Sequence, residues 1–162
     1  MPTIDSEKDL RKQLLALLKG DQAHATFDQA IKDLPAKFHG VVPEGLPYSA
    51  WQLLEHLRIT QRDILDFSTN QDGHYKELAW PDDYWPESKT PPGSRDWDES
   101  IRHYKADLAA VEKLVQSEDL HTSFSWGDGQ NLLREVLLIA DHTAYHLGEL
   151  IVLRRILGEW KK

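Results

Sequence analysis

Apolar residues recur along this chain at alternating spacings of three and four, which is the period of an amphipathic α-helix. The pattern predicts four helices, over about residues 6–34, 49–70, 96–116 and 130–158. No segment shows the strict alternation of apolar and polar residues that is typical of a half-buried β-strand. Gly20 interrupts the first segment and predicts a bend, because glycine costs about 1 kcal/mol relative to alanine inside a helix. We therefore expect an all-α fold.

The starts of the second and third predicted helices carry recognisable signals. Ser49 and Gln52 have the spacing of a capping box, in which the serine hydroxyl and the glutamine amide satisfy the first free backbone N–H groups. Asp96 opens the third helix, with Glu99 three residues further on. Both starts indicate that the connection between these two helices is long.

This connection, residues 71–95, is too long for a minimal turn. Its aromatic residues and prolines are Trp80, Pro81, Tyr84, Trp85, Pro86, Pro91 and Pro92. Loops of this length in compact domains are usually functional or are packed by their own side chains. Two interpretations stay open: a strap that lets the second and third helices run parallel, or a lid, a wall or a dimer contact beside a site.

Length and charge narrow the classes of function. The 162 residues suffice for a single domain over residues 1–162 with its own core. Asp and Glu number 27 against 19 Lys and Arg, a formal charge of −8, which suits neither the phosphates of nucleic acids nor an anionic membrane surface. The N-terminus has no signal-peptide pattern, and no stretch approaches the run of about 20 apolar residues that a membrane span needs. We expect a cytoplasmic protein without nucleic-acid or membrane partners.

Cysteine is absent, so the eight histidines carry the candidate chemistry. Without cysteine the chain has no disulfide, no thiolate nucleophile and no cysteine-ligated metal site. Four of the histidines are expected to be solvated: His39, His74, His103 and His121. His24 lies on the predicted stripe of the first helix between two aspartates, where it either faces a site or bonds a neighbouring carboxylate.

His142 and His146 are four residues apart, so both rings leave the same face of the fourth helix. Their seam also carries Glu135, Ile139, Glu149, Leu153 and Ile156. The isoleucines and leucine indicate that this seam faces the core, where unpartnered imidazoles and carboxylates are costly. Two such imidazoles can bind one metal ion at about 2.0–2.1 Å. His56, between apolar neighbours in the second helix, is the candidate third ligand.

The sequences over residues 49–57 and 141–149 together resemble the DinB-like superfamily. The shared pattern is one histidine on the second helix and an HxxxH motif with a trailing glycine on the fourth. The resemblance covers nearly the whole chain, including the long connection. It implies a four-helix bundle with a long crossover loop between helices 2 and 3, an up-up-down-down style of connection, and one divalent metal ion bound by His56, His142 and His146.

Three neutral imidazoles leave coordination positions open, as in catalytic rather than structural zinc sites. Imidazole suits zinc, nickel and iron, among others, so the identity of the divalent metal ion stays open. The resemblance implies a metal-dependent enzyme, either a thiol-dependent transferase or a hydrolase, that acts on a small-molecule substrate with a low-molecular-weight thiol as partner. Candidate groups for proton transfer are Glu149, His24 and Glu55, although many relatives have glutamine at the position of Glu149.

Two other functional interpretations remain at this stage. The chain could be a non-catalytic metal-binding or small-ligand-binding protein of a stress response, or its histidines could form a polar core network without metal. A homodimer that pairs through a helix face is compatible with the sequence. Gly148, inside the fourth helix, predicts close approach of a neighbouring helix or loop.

Overall fold

The computed structural model describes residues 4–160, and this part of the chain is all-α. Its five helices are α1 (Ile4–Lys19), α2 (Phe27–Ile31), α3 (Ala50–Ser68), α4 (Asp96–Ser117) and α5 (Leu132–Ile156). Within the described range there is no strand, only an isolated bridge between Ser123 and Asn131. The all-α prediction is confirmed, with five helices instead of the predicted four.

The predicted helix over residues 6–34 is wrong between α1 and α2. Gly20 and Asp21 have φ values of 73° and 67°, in the left-handed region where helices commonly end. Thr26 then starts α2 with a capping box: its side chain accepts from the Gln29 N–H, and the Gln29 side chain accepts from the Thr26 N–H. His24 therefore lies in a bend and on no helix face.

Helices α3 and α4 begin where the sequence predicts. The Ser49–Gln52 capping box is present, with both hydrogen bonds 3.1 Å long. At the start of α4 no side chain caps the helix, and the acidic residues Asp96, Asp98 and Glu99 occupy its first turn instead. Negative charge at this end interacts favourably with the helix dipole.

The core falls into two apolar clusters that reveal the direction of each helix. One cluster contains buried side chains from α2, from the first halves of α3 and α4, and from the last half of α5. The other contains buried side chains from α1, from the last halves of α3 and α4, and from the first half of α5. Thus α3 and α4 run parallel, and α5 runs opposite to them. Glu7, near the start of α1, bonds His121 beyond the end of α4. Leu18, near the end of α1, lines a cavity with Leu108 in the middle of α4, so α1 also runs opposite to α4. The up-up-down-down order is wrong, because the first and second long helices are antiparallel.

The connection between α3 and α4 is fastened to α3 at two places. The hydroxyls of Tyr75 and Tyr84 donate to the two carboxylate oxygens of Asp63, at 3.0 and 2.7 Å. At the other end, the Ser49 hydroxyl donates to the carbonyl of Lys89 at 2.6 Å. These bonds hold the connection along α3 on both sides of His56, at Ser49 before it and at Asp63 after it.

Helix α5 is the most apolar element, with a mean hydropathy of 1.3 over its most apolar window. By length and composition alone it could cross a membrane, so the expectation that no segment approaches a membrane span does not hold for α5. The core helix of a globular domain meets the same criterion, which makes it weak evidence. In this structure α5 packs against each of the other four helices.

Candidate metal centre

Three histidine side chains converge between α3 and α5. The Nε2 atom of His56 lies 3.1 Å from Nε2 of His146 and 3.0 Å from Nε2 of His142. The candidate ligand atoms of all three residues lie within 4.8 Å of one another. Two nitrogens bound tetrahedrally at 2.0–2.1 Å are about 3.3 Å apart, so this spacing suits ligands of a single ion. The structure thus brings together the three predicted ligands.

The helix arrangement explains this convergence. His142 and His146 point to the same side of α5 because they are one turn apart, and antiparallel packing sets His56 of α3 against them. His56 is 1% exposed and His146 is 7% exposed, so both rings are nearly out of water. Buried polar rings of this kind need partners.

The outer nitrogens of two of these rings are held by acceptors. Nδ1 of His56 lies 2.8 Å from the carbonyl oxygen of Tyr84, and Nδ1 of His146 lies 2.6 Å from Oε2 of Glu149. A carbonyl or a carboxylate can only accept here, so each Nδ1 carries the hydrogen and donates it. Each Nε2 then presents a lone pair to the centre, which is how ligand histidines are usually oriented.

This arrangement tests whether a cation fits the site. Neither Nε2 of His56 nor Nε2 of His146 carries a hydrogen in this tautomer, yet the two atoms lie 3.1 Å apart. No hydrogen bond can join two acceptors, and their facing lone pairs repel each other. In a hydrogen-bonded core network, Nε2–H of His142 could donate to Nε2 of His56, but Nε2 of His146 would stay unsatisfied beside it. A cation between the rings would satisfy both lone pairs. The donor set fits a divalent metal ion.

Burial keeps the three imidazoles neutral. Burial, together with the nearby His146 and His56, lowers the pKa of His142 to about 3. Burial likewise lowers the pKa of His146 to about 4, assisted by His56. The pKa of His56 is also lowered by burial, against the opposing hydrogen bond to Tyr84. Metal ligation requires neutral imidazole, so the site is in its ligating form at neutral pH.

The predicted proton-transfer group Glu149 lies directly against a candidate ligand. Its Oε2 accepts the hydrogen bond from His146, three residues earlier on the same helix. Burial raises the pKa of Glu149, and His56 opposes the rise. The third candidate, Glu55, is engaged elsewhere, with Arg58 and Ser100.

The connection between α3 and α4 forms one wall of the centre. The Trp85 ring stacks on the His56 ring with centroids 3.8 Å apart and an interplanar angle of 4°. Tyr48 stacks on Trp85 at 4.1 Å, and the edge of Trp85 faces His146 at 5.9 Å. Both interpretations of this connection agree with the structure, because α3 and α4 run parallel and these contacts make the connection a wall of the centre. Sequence reasoning missed both Trp85 and the Tyr84 carbonyl.

His24 is not brought into this cluster. Its side chain is exposed, and its Nδ1 lies 2.9 Å from the carbonyl oxygen of Ala25 rather than beside a carboxylate. It lines a cavity of about 370 Å³ with Tyr104 and Thr143, between α1, α4 and α5. The three histidines of the centre do not line this cavity.

The expectation for the remaining histidines is wrong at one position. His39 is buried, its ring stacks on Trp97 at 3.7 Å, and its Nε2 lies 2.9 Å from the carbonyl of Leu34. Sequence reasoning placed His39 in a solvated loop because no periodic pattern surrounds it. His74, His103 and His121 are exposed, as expected.

Comparison with known proteins gives one match. The family model for the DinB superfamily matches residues 19–150, a range that contains His56, His142 and His146. Comparison with curated proteins gave no match, and comparison with solved structures gave none. The matched range covers most of the chain, including α3 and the part of α5 that carries His142 and His146. The chain belongs to the DinB superfamily.

Proposed function

We propose that this protein binds one divalent metal ion through Nε2 of His56, His142 and His146. The observation that carries the proposal is the convergence of these three nitrogens, two of them on rings whose Nδ1 is held by an acceptor. In the same proposal the four long helices form the four-helix bundle typical of the family, and residues 1–162 form one domain.

The chain's own residues hold the ligands and shield them. The Tyr84 carbonyl and the Glu149 carboxylate fix the orientation of His56 and His146. Trp85 covers one face of His56 and excludes water from it. Three protein ligands leave room for further ligands, and a bound divalent ion would supply a Lewis acid that activates a water or a thiol.

We propose further that the protein is a metal-dependent enzyme, either a thiol-dependent transferase or a hydrolase. Because the chain has no cysteine, any thiol in the reaction must come from a low-molecular-weight partner. A cavity of about 640 Å³ between α3 and α5 is lined by Asp63, Tyr84 and Glu135 among others, although by none of the three histidines. Tyr84 connects this cavity with the centre, because its carbonyl accepts the hydrogen bond from His56 and the same residue lines the cavity. Volumes of about 300–1,000 Å³ are usual for small-molecule sites.

Metal analysis of protein purified without a histidine tag tests the binding step. We expect about one equivalent of a divalent metal in the wild type and less than about a tenth in His142→Ala, because two imidazoles bind far more weakly than three. His103→Ala, which removes an exposed histidine of α4, is the matched control and should keep its metal. A wild type that takes up no metal from zinc, nickel or iron solutions contradicts the proposal.

A substrate panel tests the enzymatic step. The metal-loaded wild type is assayed with pairs of thiols and electrophiles, and separately with esters and amides. We expect turnover in one panel that is lost in His142→Ala and kept in His103→Ala. Full metal loading without any turnover would favour the alternative function, a non-catalytic metal-binding or small-ligand-binding protein.

A further inference from the structure

The outer face of α5 carries apolar side chains that the described chain leaves uncovered. Tyr145 is 65% exposed, Leu137 44% and Val152 42%. Apart from Arg134, which pairs with Glu135 near the start of the helix, the stripe within about 40° of Gly148 holds five residues at about 100° of rotation per residue: Leu137, Asp141, Ala144, Val152 and Arg155. We call these five residues and Gly148 the outer stripe of α5. It points away from the face that carries the metal-centre histidines.

Gly148 lies at the middle of the outer stripe. The sequence predicts a neighbouring element packed closely at this glycine, and that prediction is wrong within the described chain, because a Cβ at Gly148 would meet no atom within 4 Å. Glycine is a poor helix former, and here neither a turn nor a positive φ calls for it. The absent side chain leaves a shallow place on the helix surface where another backbone can approach.

The charges of the outer stripe are arranged symmetrically about this place. Asp141 precedes Gly148 by seven residues and Arg155 follows it by seven. Both side chains belong to exposed residues, and neither forms an ion pair with another described residue. Ala144 and Val152 stand four residues to either side in the same way. The stripe is therefore complementary to an antiparallel copy of itself.

We propose that the outer stripe of α5 is a homodimer interface, in which two antiparallel α5 helices cross at Gly148. A two-fold axis there places Asp141 opposite Arg155 of the partner subunit, and the same pair forms again on the other side of the axis. Ala144 faces Val152 of the partner subunit in the same way. A parallel pairing would instead set like charges against each other, and a lipid surface would have to bury both charges unpaired.

A contact made by one helix face is small compared with stable dimer interfaces. We therefore expect a dissociation constant of about 1–100 µM. Sedimentation equilibrium over this concentration range should show a reversible rise from the chain mass of 18.7 kDa toward twice that mass.

Charge reversal tests the register of the pairing. Asp141→Arg and Arg155→Asp should each weaken the dimer by about tenfold or more, because each sets like charges against each other twice. The double variant restores two opposite-charge pairs and should return to within about threefold of the wild type. Arg102→Asp, which makes the same charge change on the exposed surface of α4, is the matched control and should leave the dimer unchanged.

Substitution of Gly148 separates the interface from the stability of the subunit. Gly148→Leu places its side chain in open space within one subunit and improves helix propensity. Its midpoint of thermal unfolding as a monomer, measured at low concentration, should not fall. The dimer should be lost, because the new side chain occupies the crossing point.

Three results would overturn the proposal. One is a wild type that remains monomeric at about 200 µM, whether or not it floats with phosphatidylcholine vesicles, since vesicle binding would assign the stripe to lipid. Another is a dimer whose dissociation constant neither single reversal changes. The third is a double variant that is no tighter than the single ones.

Discussion

At the scale of single residues, the contacts around the candidate metal centre distinguish the proposed ligands from the groups that orient them. His142 and His146 were predictable because a spacing of four on an apolar seam has a physical meaning. The contact between His146 and Glu149 also has a sequence signal, since residues three apart on a helix are neighbours. The Tyr84 carbonyl has none, because every residue carries a backbone carbonyl and only the fold selects this one.

Glu149 is expected to act through His146 as a positioning residue. Glu149→Ala should weaken metal binding by about 10–100-fold, as is usual when a group that orients a ligand is removed. Glu149→Gln keeps an acceptor for the His146 Nδ1–H and should stay within a few-fold of the wild type. Competition titration against a chromophoric chelator measures both affinities. Equal losses in the alanine and glutamine variants would argue against this role.

Glu135 predicts a pH dependence of stability that is separate from the histidines. It is 2% exposed, and burial raises its pKa despite its bond to Arg134. A carboxyl with a raised pKa in the folded state binds its proton more tightly there than in the unfolded chain. The contribution of Glu135 to the free energy of unfolding is therefore greatest at low pH, and it is lost as the pH rises through the folded-state pKa.

Glu135→Gln removes this titration. The free energy of unfolding of the variant minus that of the wild type should therefore increase from pH 4 to pH 7. Urea unfolding at several pH values measures this difference. A difference that stays constant or falls with pH would show that Glu135 does not carry the predicted shift.

At the scale of elements, the helices were more predictable than the segments between them. Helix periods and the Ser49 capping box are local signals, and they located α3, α4 and α5 closely. The break after α1 depends on left-handed backbone at Gly20 and Asp21. The helical spacing of residues continues past this break through His24, so the sequence predicted one uninterrupted helix there. The wall formed by Trp85 depends on packing between residues far apart in sequence, which periodicity cannot report.

Asp63 is expected to hold this wall in place. Asp63→Ala leaves the hydroxyls of Tyr75 and Tyr84 without their acceptor, which should lower the free energy of unfolding by about 1–2 kcal/mol. Because the Tyr84 carbonyl holds His56, metal affinity should fall as well. The connection, no longer held by Asp63, should also be cleaved faster by a protease. Urea unfolding, chelator competition and the rate of proteolysis within residues 69–95 measure these three effects.

The matched control for this element is Asp66→Ala, on the same helix. Asp66 pairs with Arg62 at the surface, with side chains 42% and 53% exposed, and such pairs contribute about 0–1 kcal/mol. The control should leave metal affinity and proteolysis unchanged. If both variants behave alike, the connection is not fastened through Asp63.

At the scale of the whole molecule, a metal ion would join α3 and α5 at the centre of the fold. Binding to the folded state alone stabilises it, by about 3 kcal/mol when free metal is at 100 times its dissociation constant. Metal removal by a chelator should therefore lower the midpoint of thermal unfolding by about 5–10 °C for a chain of this size. His142→Ala should unfold at a temperature that does not depend on metal. Calorimetric scans with and without chelator compare the two proteins.

The most direct test of the central claim is a crystal structure of the metal-loaded protein with diffraction data on both sides of the metal's absorption edge. The anomalous difference map should show one strong peak between α3 and α5, at about 2.0–2.1 Å from each Nε2 of His56, His142 and His146. Further ligands should come from solvent or from a small molecule. The claim would be contradicted by a fully loaded protein whose metal peak lies elsewhere, or whose peak is bound by fewer than these three nitrogens.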